Sequence, residues 1–151
     1  DRNGGDAVTI HKGGLQKVSP SNWAFLTLKV LLLHETSTAS PTVDDEFVAD
    51  LVPASNELVN DDYTRATVAG ATVSWNATTK LWELKADAVN FGSLTGATIT
   101  QGVKGWALFA QITNDADSVL IRSYEGTAHT FTGEGVLVSW ADGIVLTVEG
   151  P

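Results

Sequence analysis

The chain has no cysteine. That removes disulfide frameworks, thiolate zinc sites, iron–sulfur clusters and thiol nucleophiles together. Methionine is absent too. Removal of an initiator ordinarily needs a small second residue, and Asp1 is not small, so residues are expected to precede it. Positive charge is scarce: 9 Lys and Arg stand against 18 Asp and Glu, a net charge of −9. Nucleic-acid affinity comes mainly from Lys and Arg neutralising phosphates, so no nucleic-acid partner is expected. No apolar run approaches the ~18 residues of a membrane-spanning helix. The first residues lack the basic-then-apolar order of a secretory signal. No membrane partner is expected either.

What remains is a chain well supplied with core-forming residues. Of 151 residues, 43% are hydrophobic and only 18% are charged. A chain of this length buries roughly 70% of the surface it exposes when unfolded, enough for one cored domain. Charge divides it unevenly. Residues 1–33 hold four bases against two acids, a net of +2, and the remainder holds five against sixteen, a net of −11.

Residues 1–22 are rich in glycine and polar residues, with Val8, Ile10, Leu15 and Val18 as the sizeable aliphatics. Ordering this stretch costs roughly 1–2 kcal/mol per residue, which so few side chains do not offset by themselves. It reads as an extended N-terminal arm with one short strand, Ala7–His11, either a frayed terminus or an arm that adds to a neighbouring subunit's sheet edge. The body is then residues 23–151.

WAFLTLKVLLLH, residues 23–34, alternates Phe25, Thr27 and Lys29 with Leu26, Leu28 and Val30, which predicts a long central strand. Its apolar density would also suit a buried helix. One helix is predicted at 43–51. There Thr42 is a candidate N-cap with Asp45 three residues on, and Asp44, Asp45 and Glu46 fill the first turn. Val43, Phe47, Val48 and Leu51 form an apolar stripe, and Pro53 stops the helix. Beyond residue 56 the pattern is strands and turns. A hairpin is predicted across 69–75 and 81–86, turning at Asn76-Ala77-Thr78. A short strand closes at Gly92, and a loop or weak edge strand spans 95–102. A buried strand at 103–112 has Gly105 as a bulge or close approach. A turn at 113–118 and a strand at 118–125 follow, then a connection at 126–135. A terminal hairpin turns at Ala141-Asp142-Gly143. About ten short strands predict an all-β fold, a two-sheet antiparallel β-sandwich of jelly-roll or immunoglobulin-like type. Its inward residues should include Leu26, Leu28, Val30, Val73, Trp75, Leu84, Trp106, Leu108, Leu120, Val138 and Leu146.

Chemistry is hard to find. His11, His34 and His129 lack metal-ligand spacing and read as surface or interface residues. Asn114, Asp115 and Asp117 resemble the start of a calcium loop without its glycine and closing glutamate, so they read as a turn. No paired carboxylates, nucleophile elbow or phosphate loop is present. No catalytic residue, metal or cofactor is expected, and the chain does not read as an enzyme. Of the five tryptophans, Trp75 and Trp82 can pair across the hairpin, and the others suit a core. The rival reading is a carbohydrate-binding adhesion module, using Trp82 with Glu83 and Phe131 near Glu134.

Several segments carry a resemblance. They are Asp45-Glu46-Phe47-Val48-Ala49-Asp50-Leu51, Asn56-Glu57-Leu58 and Asp62-Tyr63-Thr64-Arg65, then Gly70-Ala71-Thr72-Val73 and Ala86-Asp87-Ala88-Val89-Asn90-Phe91. Gly105-Trp106-Ala107-Leu108-Phe109 and Trp140-Ala141-Asp142-Gly143-Ile144 complete the set. In order and spacing, the chain from Asp45 onward resembles a family of small virion proteins of tailed bacteriophages. It departs at the front, where the family often opens with a helix and this chain has its glycine-rich arm. The resemblance implies a capsid decoration, or minor capsid, protein on the outer surface of the head that stabilises the shell. A neck or tail component is the alternative. The implied partners are the major capsid protein and further copies of the chain, as a homotrimer. An acidic body suits an outer position, away from packaged DNA. The expected partner-binding residues are those of the arm: Val8, Ile10, His11, Lys12, Leu15 and Lys17.

Overall fold

The computed structural model describes residues 7–60, 62–94, 102–129 and 135–150. Expectations for residues 1–6, for the segment 95–101 and for Phe131 and Glu134 lie outside the described residues.

Among the described residues ten strands form: β1 (Ala7–Ile10), β2 (Leu28–His34), β3 (Ala66–Thr67), β4 (Thr72–Asn76), β5 (Leu81–Lys85), β6 (Val89–Ser93), β7 (Val103–Ala110), β8 (Val119–His129), β9 (Gly135–Val138) and β10 (Ile144–Glu149). Two short helices, α1 (Lys12–Lys17) and α2 (Pro53–Asn56), accompany them. Every strand pairing is antiparallel, and the fold is all-β. Among the described residues the strands make three sheets rather than two: β1-β8-β7-β2-β3, β10-β5-β4 and β6-β9.

The five-stranded sheet is buried on both faces, which explains its sequence. On one face Leu28, Val30, Leu32, Leu108 and Ile121 join a core shared with Leu84, Val89, Val138 and Leu146 of the two smaller sheets. On the other face Leu31, Leu33, Ala107, Phe109 and Leu120 pack with Val48 and Leu51. A strand covered on both sides has no polar face to show, so successive residues such as Leu31 and Leu32 are equally enclosed. The strand is shorter than expected. Trp23–Phe25 form a 3-10 turn instead, with Trp23 enclosed and its indole N–H donating to the Lys85 carbonyl at 2.8 Å.

The helix predicted at 43–51 does not form. The chain is drawn out at Glu46 and Phe47, where Phe47 bridges Val119, the Leu120 N–H donates to Glu46 O, and the Val48 N–H donates to Ser118 O. Tertiary pairing with β8 overrides the local capping pattern. Thr42 and Asp45 still meet, but as a turn: the Thr42 N–H donates to the Asp45 carboxylate at 2.8 Å. Asp50 is the acid that organises the segment, accepting the N–H groups of Glu46 and Phe47, each at 2.9 Å. A single 3-10 turn, Val48–Leu51, follows. It inserts Val48 and Leu51 into the second core, while Val43 stays exposed. Burying those two side chains contributes roughly 3–6 kcal/mol. Pro53 begins α2 rather than ending a helix, as its fixed φ allows.

The hairpin of β4 and β5 forms as expected, with Trp75 opposite Trp82. Asn76 makes its turn by accepting the N–H groups of Thr78 and Thr79. The terminal hairpin does not form. β9 pairs with β6 and β10 pairs with β5. Asp142 and Gly143 do take left-handed φ values of 57° and 74°. However, Trp140 is anchored in the core, its indole N–H donating to Asp87 O at 3.1 Å. The turn therefore passes the chain from one sheet to another. Most expected inward residues are buried or packed on the core; Trp75, 41% exposed, is the exception.

Candidate functional site

The N-terminal stretch is not an extended arm over its described part. β1 adds to the five-stranded sheet of its own chain, with Val8 opposite Tyr124 and Ile10 opposite Arg122. The strand falls where the sequence placed it, but no neighbouring subunit is needed to pair it. α1 then lies directly on β8. A side chain on Gly14 would meet Leu120 O at 2.5 Å and the Ile121 Cα at 2.7 Å. The glycines that read as looseness are what permit this approach.

His11 fastens the stretch. His11 is 0% exposed, where the sequence suggested a surface or interface residue. Nδ1 lies 3.0 Å from the Asp45 carbonyl and Nε2 lies 2.8 Å from the Ser123 hydroxyl. A carbonyl only accepts, so Nδ1 carries the proton and the hydroxyl donates to Nε2. Burial pushes the His11 pKa down, against the opposing pull of Asp45. One uncharged ring thus joins the N-terminal stretch, the 42–46 turn and β8.

The six expected partner-binding residues separate. Val8, Ile10 and Leu15 meet along one groove. His11 turns inward. Lys12 forms an exposed ion pair with Asp44 at 3.2 Å. Lys17 is exposed in the last turn of α1. The groove, about 360 Å³, runs between β1 and β10 and is completed by Arg122 and by Ile144, Val145, Leu146 and Thr147. Among the described residues β1 and β10 are the outer strands of their sheets. Val8 and Leu15 are 40% and 51% exposed on its rim.

Arg122 is the groove's polar feature, and the sequence reading missed it. Nη1 donates to Val145 O at 2.9 Å and Ile144 O at 3.4 Å, where a register shift interrupts β10. Nε is buried without an acceptor. No carboxylate lies within ion-pair distance of Arg122 among the described residues. Burial accordingly pushes its pKa down. The available signal was a lone base inside the apolar strand VLIRS.

Asn56, Glu57, Tyr63 and Arg65 build a second polar cluster with Asp115. Arg65 donates to Glu57 at 2.8 and 2.9 Å and to Asp115 at 2.6 and 3.0 Å, with its guanidinium over the Phe109 ring. Tyr63 donates to Glu57 and accepts the Leu32 N–H. Asn56 donates to Leu51 O and accepts the Thr38 N–H. The two carboxylates raise the Arg65 pKa, and Arg65 lowers that of Asp115. Burial, then Glu57, raises that of Tyr63. The cluster ties α2, β2 and the 113–118 turn together.

The other candidates are also absorbed by structure. Asn114 and Asp117 accept backbone N–H groups of their own turn. His34 donates from Nε2 to Ser55 O at 2.6 Å, with the Thr36 N–H on Nδ1. The side chain of His129 lies outside those described. Among the described residues no group of three or more His, Asp or Glu is placed to hold a metal ion. Trp75 and Trp82 are tilted by 58°, so they do not form a coplanar platform, and Glu83 accepts from Asn76. Compared with family models, curated proteins and solved structures, the chain matches none.

Proposed function

We propose that this chain is a structural protein of a tailed-bacteriophage virion, a capsid decoration protein bound to the outer head surface. The observation that carries the reading is the contrast between its polar clusters and its groove. The Arg65 and His11 clusters are spent on holding the chain together. The groove beside β1 presents apolar residues and a free strand edge outward, the features of a surface that binds another protein. The net charge of −9 favours a site away from DNA. Densitometry of purified particles of the encoding phage tests this. Hundreds of copies per virion are expected. A dozen or so copies would move the protein to the neck or tail, and its absence from particles would overturn the reading.

A further inference from the structure

Resting on that reading of the groove as a docking face, we propose that it receives an extended acidic segment of a partner protein. The segment adds as a strand to the free edge of β1, places apolar side chains between β1 and β10, and sets a carboxylate against Arg122.

Three observations converge on this occupant. The first is the edge itself. Outer strands are usually guarded by charge, proline or a bulge. β1 reads Ala-Val-Thr-Ile and carries none of these. β10 is guarded, because Arg122 occupies its Val145 carbonyl and Glu149 closes it.

The second is charge. Arg122 lies partly buried with no carboxylate in ion-pair distance among the described residues. A desolvated charge is costly unless it is paired. The missing counter-charge is supplied by the partner. The exposed Lys17 of α1 lies on the neighbouring helix and favours the same sign.

The third is reach and volume. An added strand lies two strand spacings from β8, roughly 9.6 Å, within the combined length of an arginine and a glutamate side chain. A 360 Å³ groove holds the volume of about a dozen waters. Their release from the walls of Val8, Ile10, Leu15 and Ile144 favours apolar side chains there.

The test is an amide NMR titration of the intact protein with the peptide acetyl-Thr-Val-Thr-Glu-Thr-Val-Thr-amide, whose Val, Glu and Val share one face. The expected result is shifts at Val8, Ile10 and Arg122, and binding about tenfold weaker for the peptide with Gln in place of Glu. Arg122→Gln should remove that preference without unfolding the chain, because it removes a charge that nothing pairs. Absence of shifts at millimolar peptide, or equal binding of both peptides, overturns the proposal. So does the same set of shifts from hexanoate, which would make the groove a small-carboxylate site. Shifts that appear on raising protein concentration alone would place a second copy there and also overturn it. Peptide binding by a protein absent from virions would remove only the proposed function. An abundant virion protein that ignores the peptide would remove only this inference.

Discussion

His11 shows how one residue changes meaning between sequence and structure. In sequence it is a lone histidine among glycines and lysines; in the fold it is enclosed and doubly hydrogen-bonded. Its pKa is lowered in the folded protein, so the unfolded chain binds a proton that the native chain resists. The sign follows. His11's contribution is intact above the unfolded value near 6.5 and is lost as pH falls below it. Urea midpoints should therefore drop between pH 7.5 and 5, before the Arg65-paired Asp115 begins to titrate. His11→Gln should flatten that portion of the profile. Midpoints that stay constant down to pH 5 in the unaltered protein would show that His11 does not act this way. Arg65 and Arg122 were equally illegible, for a related reason. Their partners, Asp115 and Val145, are brought to them by the fold and lie far away in the chain.

At the scale of elements, strands with local evidence were legible and segments set by distant partners were not. The hairpin of β4 and β5 carried its own turn chemistry at Asn76 and formed as read. Gly105 marked a close approach correctly: a side chain there would meet Tyr124 O at 2.1 Å. Residues 43–51 carried a good capping pattern and still gave no α-helix, because β8 claimed Glu46, Phe47 and Val48. The Asp142-Gly143 turn was read correctly as a turn and wrongly as a hairpin, since Trp140 packs the chain into the core before it turns. α1 was missed altogether, its two glycines arguing against a helix. Their role gives a sharp expectation. Gly14→Ala should destabilise the protein by about 1–3 kcal/mol through overpacking against the β8 backbone. It should also raise amide exchange in β1 and α1 ahead of β2. Gly14→Ala with unchanged stability would mean that α1 does not seat so closely.

At the scale of the whole molecule, the N-terminal stretch from Ala7 onward packs on the body. Val8, Ile10 and Leu15 stood out in the sequence by their apolar isolation, and the fold brings them together along one groove. That they are presented by a docked strand and helix was not legible, since β1 pairs with residues more than a hundred positions away. Removing residues 1–18 would uncover the edge of β8 and empty the space occupied by His11 and Val18. The truncated chain is expected to have a clearly lower melting temperature and a tendency to associate through the bared strand. Differential scanning calorimetry with sedimentation velocity checks both. A truncated chain that melts like the intact one and remains monomeric would return residues 1–22 to the status of an arm.

The distance between β1 and β8 along the chain also orders events at the ribosome. Ala7–Ile10 are made well before their partners Arg122–Glu125, which follow only after more than a hundred further additions. At roughly 5–20 residues per second, β1 waits on the order of 10 s for its neighbour. During that interval His11 has no hydroxyl to meet and α1 has no strand to rest upon. The five-stranded sheet thus closes only once β8 has been made, and the groove beside β1 does not exist before then.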